Sequence, residues 1–183
     1  YDRRMWHFEA VQDLLLSYLM VPQNFTDGQL DLPESGNGIP DIVDEALWGV
    51  DVWLRAQADD GSVGTWIEAT SHPMENDPGL DTQPYYLSLG TRNSSLHYAR
   101  YAAMAARALV VAGSPDLAAV YVDSARAAYA FGTDPTVRIS SNWTAEDGSL
   151  HSWTEAPEPD PLRRLWALTE LWLATGDEAF LAE

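Results

Sequence analysis

Cysteine and lysine are both absent from this chain of 183 residues. Without cysteine, the chain can form neither a disulfide nor a thiolate metal site, and it has no cysteine nucleophile. All ten basic residues are therefore arginines, and they stand against 28 acidic residues, which gives a formal net charge of −18. A surface of that sign repels nucleic acid and anionic membranes, so we expect neither as a partner.

Long apolar runs are missing as well, since no stretch approaches the roughly 20 consecutive apolar residues that a membrane span requires. The apolar content of 46% is nevertheless enough for one domain with a substantial core. What the sequence does contain is the helical spacing of apolar residues at i, i+3, i+4 and i+7. This spacing predicts five helices, at 3–20, 40–57, 94–112, 115–131 and 161–174.

The connections between these helices differ greatly in length. Gly113-Ser114-Pro115 is a short turn with a helix stop and a helix start. Residues 58–93 and 132–160 are long connections rich in Gly, Pro, Asp, Ser and Trp, and loops of that length are usually functional or disordered. No β pattern extends far enough to form a core. Helical hairpins with elaborate loops on one side predict an all-α toroid or solenoid, although no fixed-period repeat is visible.

Two segments carry a resemblance to a known family. "PESGNGIPDIVDEALWGVDVWLRAQADDGSVG", beginning at Pro33, and "LWALTELWLATGDEAFL", at 165–181, closely resemble the family 9 glycoside hydrolases, which are cellulase-type (α/α)6-barrel enzymes. The resemblance implies an all-α fold of this type with about half of the barrel present. It also implies that residues 1–183 are part of a single catalytic domain truncated at both ends.

The resemblance implies an activity too: inverting hydrolysis of a β-linked polysaccharide or oligosaccharide of the cellulose and β-glucan class, by a secreted enzyme. Inversion requires one carboxylate to activate water and one carboxylic acid to protonate the leaving oxygen. In the family, the paired catalytic aspartates come just before a segment that resembles Tyr1-Asp2-Arg3-Arg4. The catalytic acid, a glutamate, lies far beyond the position of Glu183. We therefore expect no catalytic residue in this chain and an inactive isolated fragment.

Substrate contact is the function that the remaining residues can serve. Sugar rings stack on aromatic side chains, and their hydroxyls bond to carboxylates and imidazoles. The segment "GTWIEATSHP" resembles the loop where related cellulases contact substrate, which makes Trp66, Glu68 and His72 candidates for sugar binding. Trp153 and Glu155 in "HSWTEAP" are two further candidates. Trp48, in contrast, is predicted to pack against a second helix of the barrel.

Calcium is possible in the family, where a Ser-Gly-x-x-Asp-Glu segment just before the Trp-rich helix holds the ion. The equivalent region here is "TEAPEPDPLRRLW". It keeps Glu155, Glu158 and Asp160 but places Arg163 and Arg164 where acids are expected. The pattern is not matched, so we expect no metal ligands and no cofactor.

Two alternatives to a family 9 hydrolase remain. One is a non-catalytic α/α-toroid module that binds glycan or serves as a scaffold, which an upstream Asp-x-x-Asp would argue against. The other is a different (α/α)6 enzyme, such as a polysaccharide lyase or a family 8 hydrolase, against which the PESGNGIPD segment argues. We expect the apolar faces of the first and last predicted helices to meet the remainder of the same domain.

Overall fold

The computed structural model describes Met5 and residues 7–69, 78–144, 148–156 and 158–182. These residues form five α-helices: α1 (Phe8–Met20), α2 (Asp41–Arg55), α3 (Arg92–Val111), α4 (Pro115–Thr133) and α5 (Pro161–Thr175). Two antiparallel strand pairs lie in the long connections, β1 (Ile67–Ala69) with β2 (Tyr85–Leu87) and β3 (Ser140–Thr144) with β4 (Leu150–Thr154). The prediction of a mainly helical fold is confirmed. Among the helices so described, none is long and apolar enough to span a bilayer.

The helix starts follow local capping chemistry, and this shifts two predicted boundaries. α1 begins at Phe8 rather than at Arg3, because Met5 has a left-handed backbone with φ of 57° that a helix cannot include. α3 begins two residues earlier than predicted. The Thr91 hydroxyl accepts the Ser94 N–H at 3.0 Å, and the Ser94 hydroxyl accepts the Thr91 N–H at 3.0 Å. This reciprocal capping box satisfies two backbone donors at the helix start.

The two ends of α5 match the sequence pattern. The Asp160 carboxylate accepts the Leu162 N–H at 2.9 Å, and Pro161 occupies the first helical position. Gly176 ends the helix with a φ of +67°, as predicted for a glycine that follows a last turn. Asp177 then caps a short 3₁₀ turn, Glu178–Leu181.

The helices form two layers. α1, α3 and α5 pack side by side in one layer, while α2 packs on α1 and α3, and α4 packs on α3 and α5. α3 is the centre of the core, and its small alanine side chains allow its neighbours to approach closely. A β-carbon added at Gly132 of α4 would lie 2.5 Å from Cγ of Leu96 in α3, so the two helices touch at this glycine.

The PESGNGIP loop is fixed by aspartates that accept backbone N–H groups. Asp41, at the start of α2, accepts the N–H groups of Gly28, at 2.9 Å, and Leu30. Asp27 accepts those of Gly36 and Gly38. These hydrogen bonds lower the pKa of Asp41, with the bond from Leu30 as the largest cause. The loop therefore has a clear architectural role.

Both long connections return to the N-terminal end of α3. The Ser94 hydroxyl donates to the carbonyl of Val63, at 2.6 Å, in the first connection, and Oε2 of Glu155 at the end of the second accepts the Arg92 N–H at 3.0 Å. The predicted gathering of long loops at one end is confirmed. Trp48 is 73% exposed, and no element in the described ranges covers it, so its packing against a second helix of the barrel stays a prediction about the rest of the domain.

Candidate functional site

A groove of about 870 Å³ runs along the face of the layer formed by α1, α3 and α5. Its walls come from the N-terminal halves of these three helices, together with Met5 and Thr65 from the preceding connections. Clefts of 300–1,000 Å³ are typical of ligand sites. Because residues from the first turn of each helix line the same groove, the three helices start at the same end of the molecule.

Polar side chains form the rim of the groove where α3 and α5 begin. The Asp160 N–H donates to Oδ1 of Asn93 at 2.8 Å, and Nη1 of Arg163 donates to the Asn93 carbonyl at 3.3 Å. Nε of Arg163 also lies 3.8 Å from Oδ2 of Asp160. These contacts fasten the start of α5 to the start of α3, so that amide, carboxylate and guanidinium groups line one edge together.

Further along the groove, aromatic rings enclose an arginine. The guanidinium carbon of Arg100 lies 4.7 Å from the ring centre of Trp166 and 4.9 Å from that of Tyr101. Arg100 also donates to Oε1 of Gln12 from α1. Cations placed over aromatic faces in this way are stabilised by the ring quadrupole. This part of the groove links all three helices, and the Trp166 indole remains 43% exposed within it.

His97 sits in the wall of the groove as a neutral imidazole. Its ring centre lies 5.1 Å from that of Tyr101 and 5.6 Å from that of Phe8. Burial, assisted by the positive charges of Arg163 and Arg100, lowers the pKa of His97 from 6.5 to about 3. At neutral pH, this side chain can therefore accept or donate a hydrogen bond without carrying charge.

Trp66 and Glu68 lie beside the groove rather than in it. Trp66 follows Thr65, which lines the groove, and its N–H and carbonyl are held by Ser88 at 3.2 Å and 3.0 Å. Glu68 occupies β1 opposite Tyr86 in the antiparallel register. Both residues are half-buried. Trp66 directly precedes β1 and Glu68 lies within it, so these two predicted sugar contacts follow Thr65 of the groove on one strand segment.

The other predicted sugar contacts are separate from this pair. Trp153 lies in β4 opposite Ser141, with 44% of its surface exposed, and does not line the groove. His72 lies outside the described residues. These predictions stay open, because a loop position gives exposure to an aromatic ring or an imidazole but does not by itself place it against a ligand.

Glu155 has a structural placement that its sequence context did not indicate. Only 3% of its side chain is exposed, and its Oε2 accepts the Arg92 N–H at 3.0 Å. Its Oε1 accepts the N–H of Asn93 at 3.0 Å and the Nδ2 of Asn93 at 3.2 Å. A carboxylate at a helix N-terminus is stabilised by these free N–H groups and by the helix dipole. We therefore revise Glu155 from a sugar contact to a support for α3.

The groove also contains residues that were not singled out from the sequence, among them Asn93, Arg100 and Trp166. Their only available signal is their position on successive helices that begin at the same end of the molecule, which is a tertiary feature. Across the described part of the chain, no three acidic or histidine side chains are arranged to hold a metal ion.

Comparison with known proteins identifies relatives of this arrangement. The family model described as "Glycosyl hydrolase family 9" matches residues 5–183. The chain is 29% identical to Endoglucanase C of Cellulomonas fimi over 160 residues, which covers 84% of this chain and 14% of the relative. It is 26% identical to a cellulose 1,4-beta-cellobiosidase of Acetivibrio thermocellus over 164 residues, with 85% and 18% covered.

Among solved structures, a metagenome-derived glycoside hydrolase family 9 endoglucanase superposes with a TM-score of 0.76 and 32% sequence identity. That superposition covers all of this chain and 33% of the other, so the chain spans a third or less of the length of these relatives. The layered helices are accordingly part of an (α/α)6 barrel. With a family model matched over nearly its whole length, the chain belongs to glycosyl hydrolase family 9.

Proposed function

We propose that this chain is part of an enzyme that hydrolyses β-linked glucans with inversion, and that the rim of the groove forms one side of its substrate cleft. The observation that carries the proposal is the convergence of α1, α3 and α5 on one groove of about 870 Å³ with a polar rim and aromatic walls. Such a surface suits sugars, which present both hydroxyl groups and apolar C–H faces. The relatives named as an endoglucanase and a cellobiosidase support the same substrate class.

The catalytic carboxylates, in this proposal, come from parts of the protein outside these residues. The carboxylate of Asp160 at the rim is already engaged by the Leu162 N–H and lies near Arg163. Trp66 and Glu68, at the start of the β1–β2 pair, provide sugar contacts beside Thr65 of the groove, and His72 and Trp153 stay proposed as further sugar contacts. The remainder of the same catalytic domain covers the deeper groove around Arg100 and Trp166.

We propose a secreted enzyme, because a polymeric glucan cannot enter a cell and must be cut outside it. The formal net charge of −18 is compatible with a neutral glycan substrate and with a surface that stays soluble.

The test uses the full protein that contains this chain. It is incubated with a soluble β-1,4-glucan, and the new reducing end is followed by proton NMR before mutarotation. We expect release of the α-anomer, because inversion changes the configuration of a β-linkage. Initial release of the β-anomer contradicts the inverting mechanism. Glycan binding without any hydrolysis instead supports a non-catalytic module.

A further inference from the structure

Four residues connect the end of the second long connection to the start of α3, and we call them the clasp: Arg92, Asn93, Glu155 and Asp160. The buried Glu155 carboxylate receives three N–H groups from Arg92 and Asn93. Arg92 adds its guanidinium, with Nε 3.8 Å from Oε2 of Glu155 and Nη2 donating to the Ala156 carbonyl at 2.7 Å. Oδ1 of Asn93 then accepts the Asp160 N–H at 2.8 Å.

The clasp occupies the segment where the family resemblance implies a calcium ion, and its chemistry does not fit that ion. Calcium requires six to eight oxygen ligands, with carboxylates free to coordinate. Both Glu155 oxygens are instead engaged by N–H donors, and Asp160 caps α5 through Oδ1 while Oδ2 lies 3.8 Å from Nε of Arg163. The guanidinium groups of Arg92 and Arg163 supply the positive charge at this position, and they would repel a divalent cation.

We propose that the clasp holds the end of the second long connection against α3 without a metal ion, in place of the calcium site implied by the family. We also propose that this fastening positions the groove rim. Arg92 and Glu155 are buried and do not line the groove, so they are positioning residues. They act through Asn93, which donates from Nδ2 to the Glu155 carboxylate and accepts the Asp160 N–H at the rim. The rim's contact with substrate rests on the proposed function, whereas the fastening itself does not.

The fastening is tested by hydrogen–deuterium exchange of the full protein. Exchange of the backbone amides in residues 91–95 and 155–162 is measured once in EGTA and once in excess Ca²⁺. We expect the same exchange in both conditions, because N–H donors and guanidinium groups fill the segment. In Glu155→Gln, the Arg92 and Asn93 amides should exchange about tenfold faster, since the charge-assisted acceptor is lost. The exposed neighbour Glu158→Gln is the matched control and should leave their exchange unchanged.

Two results overturn the fastening: faster exchange of these segments in EGTA, or unchanged exchange in Glu155→Gln. If Glu155→Gln does not fold, Asn93→Ala replaces it, because that variant keeps the bonds of Glu155 to the backbone N–H groups of Arg92 and Asn93. It removes the two side-chain bonds of Asn93, to Glu155 and to the Asp160 N–H. Exchange at the Asp160 amide should then rise, and an unchanged rate contradicts the clasp. Both exchange measurements are independent of enzymatic activity. A protein that proves not to hydrolyse glucans therefore still allows the fastening to be tested.

Positioning is tested by steady-state kinetics on a soluble β-glucan at a temperature where both proteins are fully folded. For Arg92→Met, we expect KM to rise several-fold with kcat nearly unchanged, because the displaced rim weakens substrate binding rather than the chemical step. A purely structural role moves neither constant under these conditions, and that result contradicts the positioning role.

Discussion

His97 is the groove residue whose charge the fold controls most strongly. The phenyl ring of Phe8 and the phenol of Tyr101 flank its imidazole, while Arg100 and Arg163 disfavour a second positive charge. An unfolded histidine takes up a proton near pH 6.5, but in the folded state the pKa is lowered to about 3. Between these values the unfolded state binds more protons, so stability rises with pH and falls on acidification.

We therefore predict that His97→Gln reduces the acid sensitivity of the protein. Urea unfolding at pH 7 and pH 5 should show a loss of stability that is smaller in the variant by up to about 2 kcal/mol. His151→Gln, at an exposed position in β4, is the control and should leave the difference between the two pH values unchanged. Equal losses in wild type and His97→Gln would show that the imidazole takes up its proton in the folded state as well.

Trp66 allows a test of the predicted sugar contacts one residue at a time. Replacing Trp66 by Ala should weaken oligosaccharide binding by roughly 1–3 kcal/mol, the scale of a lost aromatic contact. Isothermal titration with a cello-oligosaccharide measures the change, and circular dichroism checks the fold. Trp48→Ala, which removes an indole that is 73% exposed on α2, is the matched control. Unfolding of Trp66→Ala with unchanged affinity per folded molecule supports packing instead of substrate contact.

At the scale of elements, the α3–α4 hairpin depends on the absence of one side chain. A β-carbon at Gly132 would lie 2.5 Å and 2.8 Å from Cγ and Cδ2 of Leu96, and 3.1 Å from the Arg92 carbonyl. The buried Leu96 side chain or the helices themselves must shift to accept such a carbon, and the Arg92 carbonyl at the start of α3 lies beside it.

Gly132→Ala should consequently lower the free energy of unfolding by about 1–3 kcal/mol, the usual cost of overpacking. Helix propensity alone predicts the opposite, because alanine is favoured over glycine by about 1 kcal/mol. The exposed Ala130→Gly in the same helix measures that propensity in isolation. If Gly132→Ala stabilises the protein by as much as Ala130→Gly destabilises it, the close approach of the two helices is absent in solution.

These elements also show how far the sequence predicts the structure. The positions of all five helices follow from apolar spacing, and Asp160, Pro161 and Gly176 mark the ends of α5 by local chemistry alone. The start of α1 was predicted too early, because a left-handed residue such as Met5 has no signature in a periodic pattern. The role of Glu155 was missed because its partner Arg92 is 63 residues away, and only the tertiary fold brings a carboxylate to that helix start.

At the scale of the whole molecule, the groove layer leaves apolar surface uncovered. Leu162 and Leu165 of α5 are each 54% exposed, and Trp166 beside them is 43% exposed. On α1, Phe8 and Leu15 are fully buried, whereas Leu16 is 38% and Met20 is 78% exposed, so both helices leave part of their apolar surface uncovered. Apolar patches of this kind usually mark a surface that another part of the protein covers.

Residues 1–183 alone should accordingly release no sugar from any β-glucan. Lack of an activating carboxylate costs about 10²–10⁴-fold in rate, and the resemblance places both catalytic groups outside this range. A reducing-sugar assay on the purified piece, run beside the full protein, provides the measurement. Turnover by the piece that disappears in Asp160→Asn would show that its own carboxylates are catalytic.

The separation between Arg92 and Glu155 also sets an order of events during synthesis. At about 5–20 residues per second, the 63 residues from Asn93 to Glu155 require roughly 3–13 s to be added. Throughout that time the start of α3 has the Thr91–Ser94 capping box but lacks its buried carboxylate. The α3–α4 hairpin can pack meanwhile, because its helices are adjacent in sequence and local contacts form early. Proteolysis of nascent chains arrested at increasing lengths should find α3 and α4 protected before the groove rim, which closes only after Glu155 has left the ribosome.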